Sequence, residues 1–289
     1  MSKPKILVQL DSDKHASVFD AVVAVDSGID QILQYRQVAV KDVEGLVHGA
    51  MFTRGPADLH QTAVFVGGAD VAGGEALMEA ATNCFFGPMR VSVMMDSNGS
   101  NTTAAAAVLA AARHVKLAGA QALVLAGTGP VGMRAARLLA GQGASVKLAS
   151  RSLERAQQAA ASVSQQVPES DVVGVATGSE EETALAASGV DVIIAAGAAG
   201  IQLISQQTWQ ICEQLKVLID LNAVPPLGIE GVDVMDQQRT EGNVILYGAI
   251  GVGGTKMKIH KAAVARLFES NDQVLDADEI YAIGESLEA

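Results

Sequence analysis

Residues 121–152 read QALVLAGTGPVGMRAARLLAGQGASVKLASRS. A short apolar strand runs into Gly127-Thr128-Gly129-Pro130-Val131-Gly132, a G-x-G-x-x-G turn. The turn opens a helix, and a second strand follows. No other feature narrows the fold as much. Strand, glycine turn, helix and strand are the opening of an open parallel α/β sheet, and the turn aims a helix N-terminus at an anion. Gly127 permits the tight turn, Gly129 lets a pyrophosphate approach the backbone, and Gly132 lets helix and strand lie close. Unpaired N–H groups and the helix dipole then stabilise the anion. The stretch predicts a nicotinamide-dinucleotide site in which Thr128, Pro130 and Val131 share the turn.

The end of the second strand bears on the choice of dinucleotide. An acidic residue there would hold the ribose 2′-hydroxyl of NAD. This chain has Ala149-Ser150-Arg151-Ser152, and no carboxylate arrives before Glu154. Arg151 suits a 2′-phosphate through charge-assisted bonds, and Ser150 and Ser152 add hydroxyl donors. The cofactor expected is NADP, with NAD as second choice.

The rest of the chain alternates in the same way. Apolar runs at 5–10, 62–66 and 91–95 read as strands of a first series. Runs at 122–125, 146–149, 172–175, 192–195, 217–220 and 244–246 form a second, with helical stretches between most of them. This predicts an α/β protein: a doubly wound, parallel-sheet Rossmann domain plus a smaller α/β domain. The smaller domain is expected over 1–105 and the Rossmann domain over 106–269. A final helix within 270–289 is expected to pack back on the first. No Pro- or Ser-rich linker intervenes, so the domains are expected to share a cleft.

Composition limits the partners. The 289 residues carry a formal net charge of −12, which argues against nucleic acid and against an anionic membrane. Residues 269–289 hold seven acidic and no basic residues, read as the solvated face of the last helix. Cys84 and Cys212 make no metal-like pair and read as reduced structural thiols. The N-terminus lacks a hydrophobic signal core, and no run is long enough to span a bilayer. The expected location is the cytoplasm.

Two further glycine-rich stretches follow strands, AAGAAG (195–200) with Ala196 and Gly197, and GAIGVGG (248–254) with Gly251 and Gly253; both are expected at strand carboxyl ends, where ligands collect, and these four residues are read as cofactor-binding. The second is not a phosphate loop of the ATPase kind, because its order is Gly-Thr-Lys. It is read as a loop that places Lys256 at the start of a helix, where a cation is electrostatically unusual. DSNGSNTT (96–103) precedes a helix and reads either as turn and capping chemistry, with Ser100 or Asn101 as the N-cap, or as a ligand-binding stretch. Asp20 interrupts the apolar VFDAVV. The five histidines show no metal-ligand spacing, and no metal site is expected. There is no G-x-S-x-G elbow for acyl-enzyme chemistry.

Several segments together resemble one family: SVFDAVVAVD (17–26), FVGG (65–68), FFGPMRVSVMMDSNGSNTTAAA (85–106), VLAGTGPVGMRAA (124–136), NAVPPLGI (222–229) and GAIGVGGTKMKIHKAAVARLFES (248–270). Nearly end to end, the chain resembles the NAD(P)-dependent methylene-tetrahydromethanopterin dehydrogenases of bacterial one-carbon metabolism. The resemblance implies hydride transfer from a methylene bridge to the nicotinamide, giving methenyl-tetrahydromethanopterin. It implies a tetrahydromethanopterin derivative in the interdomain cleft, with Phe19, Asp20, Gly67, Gly68, Asn98, Ser100, Asn101 and Thr102 as substrate-side candidates. Asn222 joins the cofactor side, and Lys256 is the catalytic candidate, expected to hold the pterin by hydrogen bonding. A homo-oligomer is also implied. The same chemistry on methylene-tetrahydrofolate, a shikimate-dehydrogenase-like oxidoreductase and a non-enzymatic NADP sensor stand as alternatives.

Overall fold

The computed structural model describes residues 3–288. It divides into two compact units. One comprises the residues up to 102 together with those from 257 onward, and the other runs from 103 to 256. Residues 257–269, expected in the Rossmann domain, therefore belong with the first unit.

The first unit contains β1 (Ile6–Leu10), α1 (Val18–Asp26), β2 (Gln31–Tyr35), α2 (Val40–Phe52), β3 (Thr62–Val66), α3 (Val71–Asn83), β4 (Ser92–Met95) and the start of α4 (Ser100–Ala112). The second contains the rest of α4, then β5 (Gln121–Leu125), α5 (Pro130–Gly141), β6 (Ser145–Ser150), α6 (Leu153–Gln166), β7 (Val172–Ala176), α7 (Glu180–Ala187), β8 (Val192–Ala195), α8 (Gln206–Gln210), β9 (Val217–Asp220), β10 (Gln237–Glu241), β11 (Val244–Tyr247) and the start of α9 (Ala249–Arg266). The end of α9, β12 (Val274–Leu275) and α10 (Ala277–Ser286) belong to the first unit.

The first sheet has the order β2-β1-β3-β4-β12, and every pairing in it is parallel. Three strands were expected and five are present. β2 (QILQY) has two glutamines and stays exposed at the edge, so its apolar signal is weak. β12 is only two residues long. Within this unit Val8, Leu10, Val64, Val66, Val93 and Met95 turn one strand face inward. They meet Val43, Val47 and Met51 of α2 and Leu77 and Ala81 of α3. Strand side chains alternate with period two and helix side chains recur at three or four, so both patterns bury one face.

The second sheet has the order β7-β6-β5-β8-β9-β11-β10. Its first six strands follow the doubly wound nucleotide-binding order, and β10 adds an antiparallel edge strand beyond the six expected. Leu123, Leu125, Ile193, Leu218 and Leu246 pack against Trp209, Leu215 and Ile229. Among the described residues no helix is long and apolar enough to cross a membrane.

Candidate cofactor and substrate sites

In an open α/β sheet, ligands collect at the carboxyl ends of the strands, where the winding reverses. In the second unit that point lies between β5 and β8, which pair in parallel. The turn at 126–129 and the turn at 196–197 leave these two strands side by side. Gly127 N–H donates to the Ala149 carbonyl at 2.8 Å, tying the turn to the end of β6. A Cβ on Gly127 would stand 2.9 Å from Leu148 and from the Val124 carbonyl, and one on Gly132 2.6 Å from the Gly127 Cα. Both glycines are required by packing.

Gly129 differs. It is the N-cap of α5, and a Cβ there would find its nearest atoms at 3.8 and 3.9 Å, the carbonyl oxygens of Ala126 and Ala196. The free space at Gly129 opens on a cavity of about 780 Å³ lined by Ala126, Thr128, Gly129, Ala196 and Gly197. Pro130 occupies the first helical position, where its missing N–H leaves no bond unmade. Val131 and Gly132 follow in the first turn, whose N–H groups have no intrahelical acceptor. A helix N-terminus, room at Gly129 and a cavity of this size fit a dinucleotide pyrophosphate.

The far wall of the cavity carries Ser150, Arg151, Ser152 and Arg155, with Thr177 and Ser179 beyond β7. The Ser152 hydroxyl caps α6 by accepting from Arg155 N–H at 3.3 Å, and Ser150 Oγ accepts from Ser152 N–H at 3.3 Å. The guanidinium groups of Arg151 and Arg155 make no hydrogen bond or ion pair among the described residues. A carboxylate in the wall, Glu180, instead accepts from Ser205 at 3.1 Å. Two cations therefore reach the cavity without a protein counter-ion. Arg155 was missed in the sequence, although its place in the first turn of α6, four residues past Arg151, was a usable signal.

Asn222 is tied into its own loop. Its Oδ1 accepts from Val224 N–H at 2.9 Å, and its Nδ2 donates to the Pro226 carbonyl at 3.2 Å. Asp220, fully buried, accepts from Asn222 N–H at 2.9 Å and from Ile229 N–H at 2.7 Å. Burial pushes its carboxyl above the usual range, and the backbone bonds pull the other way.

The GAIGVGG stretch corrects the sequence reading. It is not a loop, since α9 already begins at Ala249. Gly251 and Gly253 are helical, and a Cβ on Gly251 would collide with the Asp236 carbonyl, whereas Gly253 faces open space. Lys256 is half-buried about two turns into α9, so the N-terminal dipole does not act on it as expected.

In the first unit the order 2-1-3-4 reverses between β1 and β3, the switch point of a flavodoxin-like sheet. Asp11-Ser12-Asp13 leaves β1 there, and Gly67-Gly68 leaves β3. Asp11 is buried and accepts from Asp13 N–H at 2.8 Å and Ser17 N–H at 3.0 Å. Ala69 N–H donates to Asp13 at 2.9 Å, clasping the two loops. A Cβ on Gly67 would lie 3.3 Å from an Asp20 carboxylate oxygen and 3.2 Å from the Phe65 ring. Gly68 has φ +93°, and a Cβ there would press on Ser12 Oγ at 2.6 Å. Asp20 sits in the first turn of α1, where a carboxylate is favoured, beside the exposed Phe19.

The DSNGSNTT stretch is mostly committed to folding. Neither Ser100 nor Asn101 is the cap. Asp96, buried, accepts from Asn101 N–H and Thr102 N–H at 3.0 Å each and from Thr102 Oγ1 at 2.6 Å. Ser100 Oγ donates to the Ser97 carbonyl at 2.8 Å, and Asn101 Nδ2 to the Met95 carbonyl and to Asp276. Ser100, Asn101 and Thr102 are fully buried. Asn98 bulges out with φ +53°, and its N–H donates to the Gly68 carbonyl at 2.7 Å. Asn98, Gly67, Gly68 and Asp20 are thus brought to one end of the sheet, and Ser100, Asn101 and Thr102 lie beneath. His260, read as one of a scattered set, is buried with Nδ1 3.8 Å from Asp96 Oδ2 and its ring stacked on Phe65. Asp11 and His260 left no motif in the sequence, because only the fold brings them to the switch point. No group of three His, Cys, Asp or Glu side chains among the described residues is arranged to hold a metal.

The sheet order, the glycine turn at its switch point and the open space at Gly129 define a Rossmann domain of the NAD(P)-binding class. Comparison with known proteins narrows this. The model for the N-terminal domain of methylene-tetrahydromethanopterin dehydrogenase matches residues 18–98, and an NAD(P)-binding model matches 114–229. The chain is 46% identical over 291 residues to the Bifunctional protein MdtA of Methylorubrum extorquens, covering 99% of this chain and 100% of that one. It is 30% identical over 287 residues to the NAD(P)-dependent methylenetetrahydromethanopterin dehydrogenase of the same organism, covering 96% and 97%. Quinate dehydrogenase from Corynebacterium glutamicum has the same fold, with a TM-score of 0.52 at 15% identity over 98% of this chain and 100% of that one. The chain belongs to the methylenetetrahydromethanopterin dehydrogenase family.

Proposed function

We propose that the protein is an NADP-dependent methylene-tetrahydromethanopterin dehydrogenase serving formaldehyde oxidation or one-carbon assimilation in the cytoplasm. The observation that carries the NADP reading is the pair of cavity-wall guanidiniums, Arg151 and Arg155, with no counter-ion. A 2′-phosphate supplies the missing charge, and the Ser152 and Thr177 hydroxyls lie along the same wall. The family relationship supports the pterin.

NADP, when bound, supplies the hydride acceptor. The substrate's bridge carbon lies between two nitrogens whose lone pairs stabilise the methenyl cation left by the departing hydride, so no proton has to be abstracted. The protein's part is alignment and exclusion of water. Gly129 and the start of α5 take the pyrophosphate, and Ala196 and Gly197 border the same cavity. On the pterin side, Asp20, Phe19, Gly67, Gly68 and Asn98 are the proposed contacts. Ser100, Asn101 and Thr102 support them from below. Lys256 acts as a hydrogen-bond donor to the substrate and not as a base.

The test is turnover with NADP or NAD and with methylene-tetrahydromethanopterin or methylene-tetrahydrofolate, following reduced cofactor and methenyl absorbance together. Methenyl product with NADP and the methanopterin is expected. Turnover with the folate alone would move the protein to that substrate. Tight NADP binding without turnover on either would leave a sensor.

A further inference from the structure

Asp220 is a carboxylate that the proposed reaction does not use. It ends β9 and is fully buried. Two other carboxylates of the second unit meet cations: Asp191 pairs with Lys216 at 2.7 Å, and Asp236 with Arg239 at 2.6 Å. Asp220 has no ion pair among the described residues. Its partners are backbone N–H groups, those of Asn222 at 2.9 Å, Ile229 at 2.7 Å and Gly228. Taking a charge out of water is costly unless it is fully bonded. Among side chains only an ionised carboxylate offers two oxygens that accept and never donate, so this set of three donors calls for one.

The three bonds draw the two ends of the 221–229 loop onto one side chain. Inside the loop, Asn222 bonds Val224 N–H and the Pro226 carbonyl. Outside it, the loop supplies the acceptors for a second segment. Gly200 N–H donates to the Val224 carbonyl at 3.2 Å, and Leu203 and Ile204 N–H donate to the Gly228 carbonyl at 2.8 and 3.2 Å. Glu230 N–H returns a bond to the Ile204 carbonyl at 3.1 Å. Residues 196–203 have no helix or strand of their own, so these bonds fix their course. Ala196, Gly197, Ile201, Gln202 and Leu203 of that segment line the cofactor cavity. The fit is close: a Cβ on Gly228 would stand 3.0 Å from Asp220 Oδ1 and 3.2 Å from Ala195 Cβ, and one on Gly197 2.8 Å from Leu203 Cδ1.

We propose that Asp220 is a positioning residue for the dinucleotide: from behind the cavity lining, and through the 221–229 loop, it holds the 196–204 wall in the shape that the cofactor meets. Groups that bind keep their geometry only when the residues behind them are locked by packing and hydrogen bonds. The wall follows β8, whereas Arg151 and Arg155 stand on the far wall beyond β6. Its contribution is therefore common to NADP and NAD, and the arginines separate the two. A carboxylate bonded only to backbone N–H groups suits this task, because it sets the path of the chain and attracts no ligand itself. The proposal deepens the cofactor reading above and rests on the cavity taking a nicotinamide dinucleotide. It is independent of the pterin.

The test is cofactor binding by the full chain, with NADPH and NADH each titrated by fluorescence and circular dichroism to confirm folding. Asp220→Asn turns one accepting oxygen into a donor that faces a backbone N–H. It should raise the Kd for NADPH and for NADH by the same factor, about tenfold, the scale of one lost bond to a charged group. A carboxylate that served folding alone would lower the thermal midpoint and leave both Kd values of the folded variant where they were; that result overturns the proposal. So does a loss confined to NADPH. Coupling is reciprocal, so in the natural protein either cofactor should slow hydrogen exchange at the N–H groups of Asn222, Gly228 and Ile229 beyond any change along the edge strand β10. If Asp220→Asn does not fold, this measurement decides, and unchanged exchange in the 221–229 loop sinks the idea. A natural protein that binds neither cofactor removes the cofactor reading itself, and the proposal with it.

Discussion

Gly132 lies against Gly127 so closely that a Cβ on it would stand 2.6 Å from the Gly127 Cα and 2.8 Å from its carbonyl oxygen. Gly129, in the same motif, has no atom within 3.8 Å of its own Cβ position. One glycine serves the helix–strand contact, and the other serves what enters the cavity.

Substitution should separate the two. Gly132→Ala is expected to destabilise the fold by about 1–3 kcal/mol, as overpacking does, with a lowered thermal midpoint. Gly129→Ala should leave the midpoint nearly unchanged and weaken NADP and NAD alike by about tenfold, on the order of 1.4 kcal/mol. Thermal unfolding and cofactor titration of both variants check this.

Arg151→Ala and Arg155→Ala should each raise the KM for NADP by about tenfold, the scale of one charge-assisted bond, and leave KM for NAD almost unchanged. Equal losses with both cofactors would remove the 2′-phosphate assignment.

The sequence made the second unit easier to read than the first. The glycine turn and the buried strands 122–125, 192–195 and 217–220 announce themselves through local spacing and continuous apolar runs. β2 does not, because an exposed edge strand has little reason to be apolar. α9 was misplaced because its glycines look like a loop. Gly251 is there because the helix passes against the Asp236 carbonyl, a tertiary reason with no local trace. The polar run at 96–103 reads equally well as capping or binding, because both use the same short polar side chains.

Asp96 offers a test of that last distinction. Asp96→Ala removes the acceptor for two N–H groups and one hydroxyl at the start of α4. A loss of about 2 kcal/mol is expected, from a lost cap and bonds to a buried charge. Chemical denaturation would measure it. Asn98→Gly, which suits the φ of +53° and removes a side chain that caps nothing, should instead raise the pterin KM with little change in stability.

His114 gives the stability a pH dependence. Burial, and then the neighbouring Arg113, hold its imidazole below the ordinary value near 6.5. Its Nε2 lies 2.8 Å from the Tyr247 hydroxyl. The folded state binds fewer protons here than the unfolded chain, so stability is full above pH ~6.5 and is lost as pH falls through the folded value. Thermal midpoints recorded downward from neutral pH should fall, and His114→Gln should flatten that part of the profile.

The first sheet is finished by residues from the far end of the chain. β12 comes from Val274–Leu275 and lies on β4, whereas the second unit is continuous from 103 to 256. On the ribosome, the cofactor-binding half has its whole sequence available first, and the N-terminal half waits for residues translated after that half. A chain cut short before 274 keeps every residue of the glycine turn and leaves β4 as a raw edge. Nonsense products of this gene would therefore be sticky in the half made first.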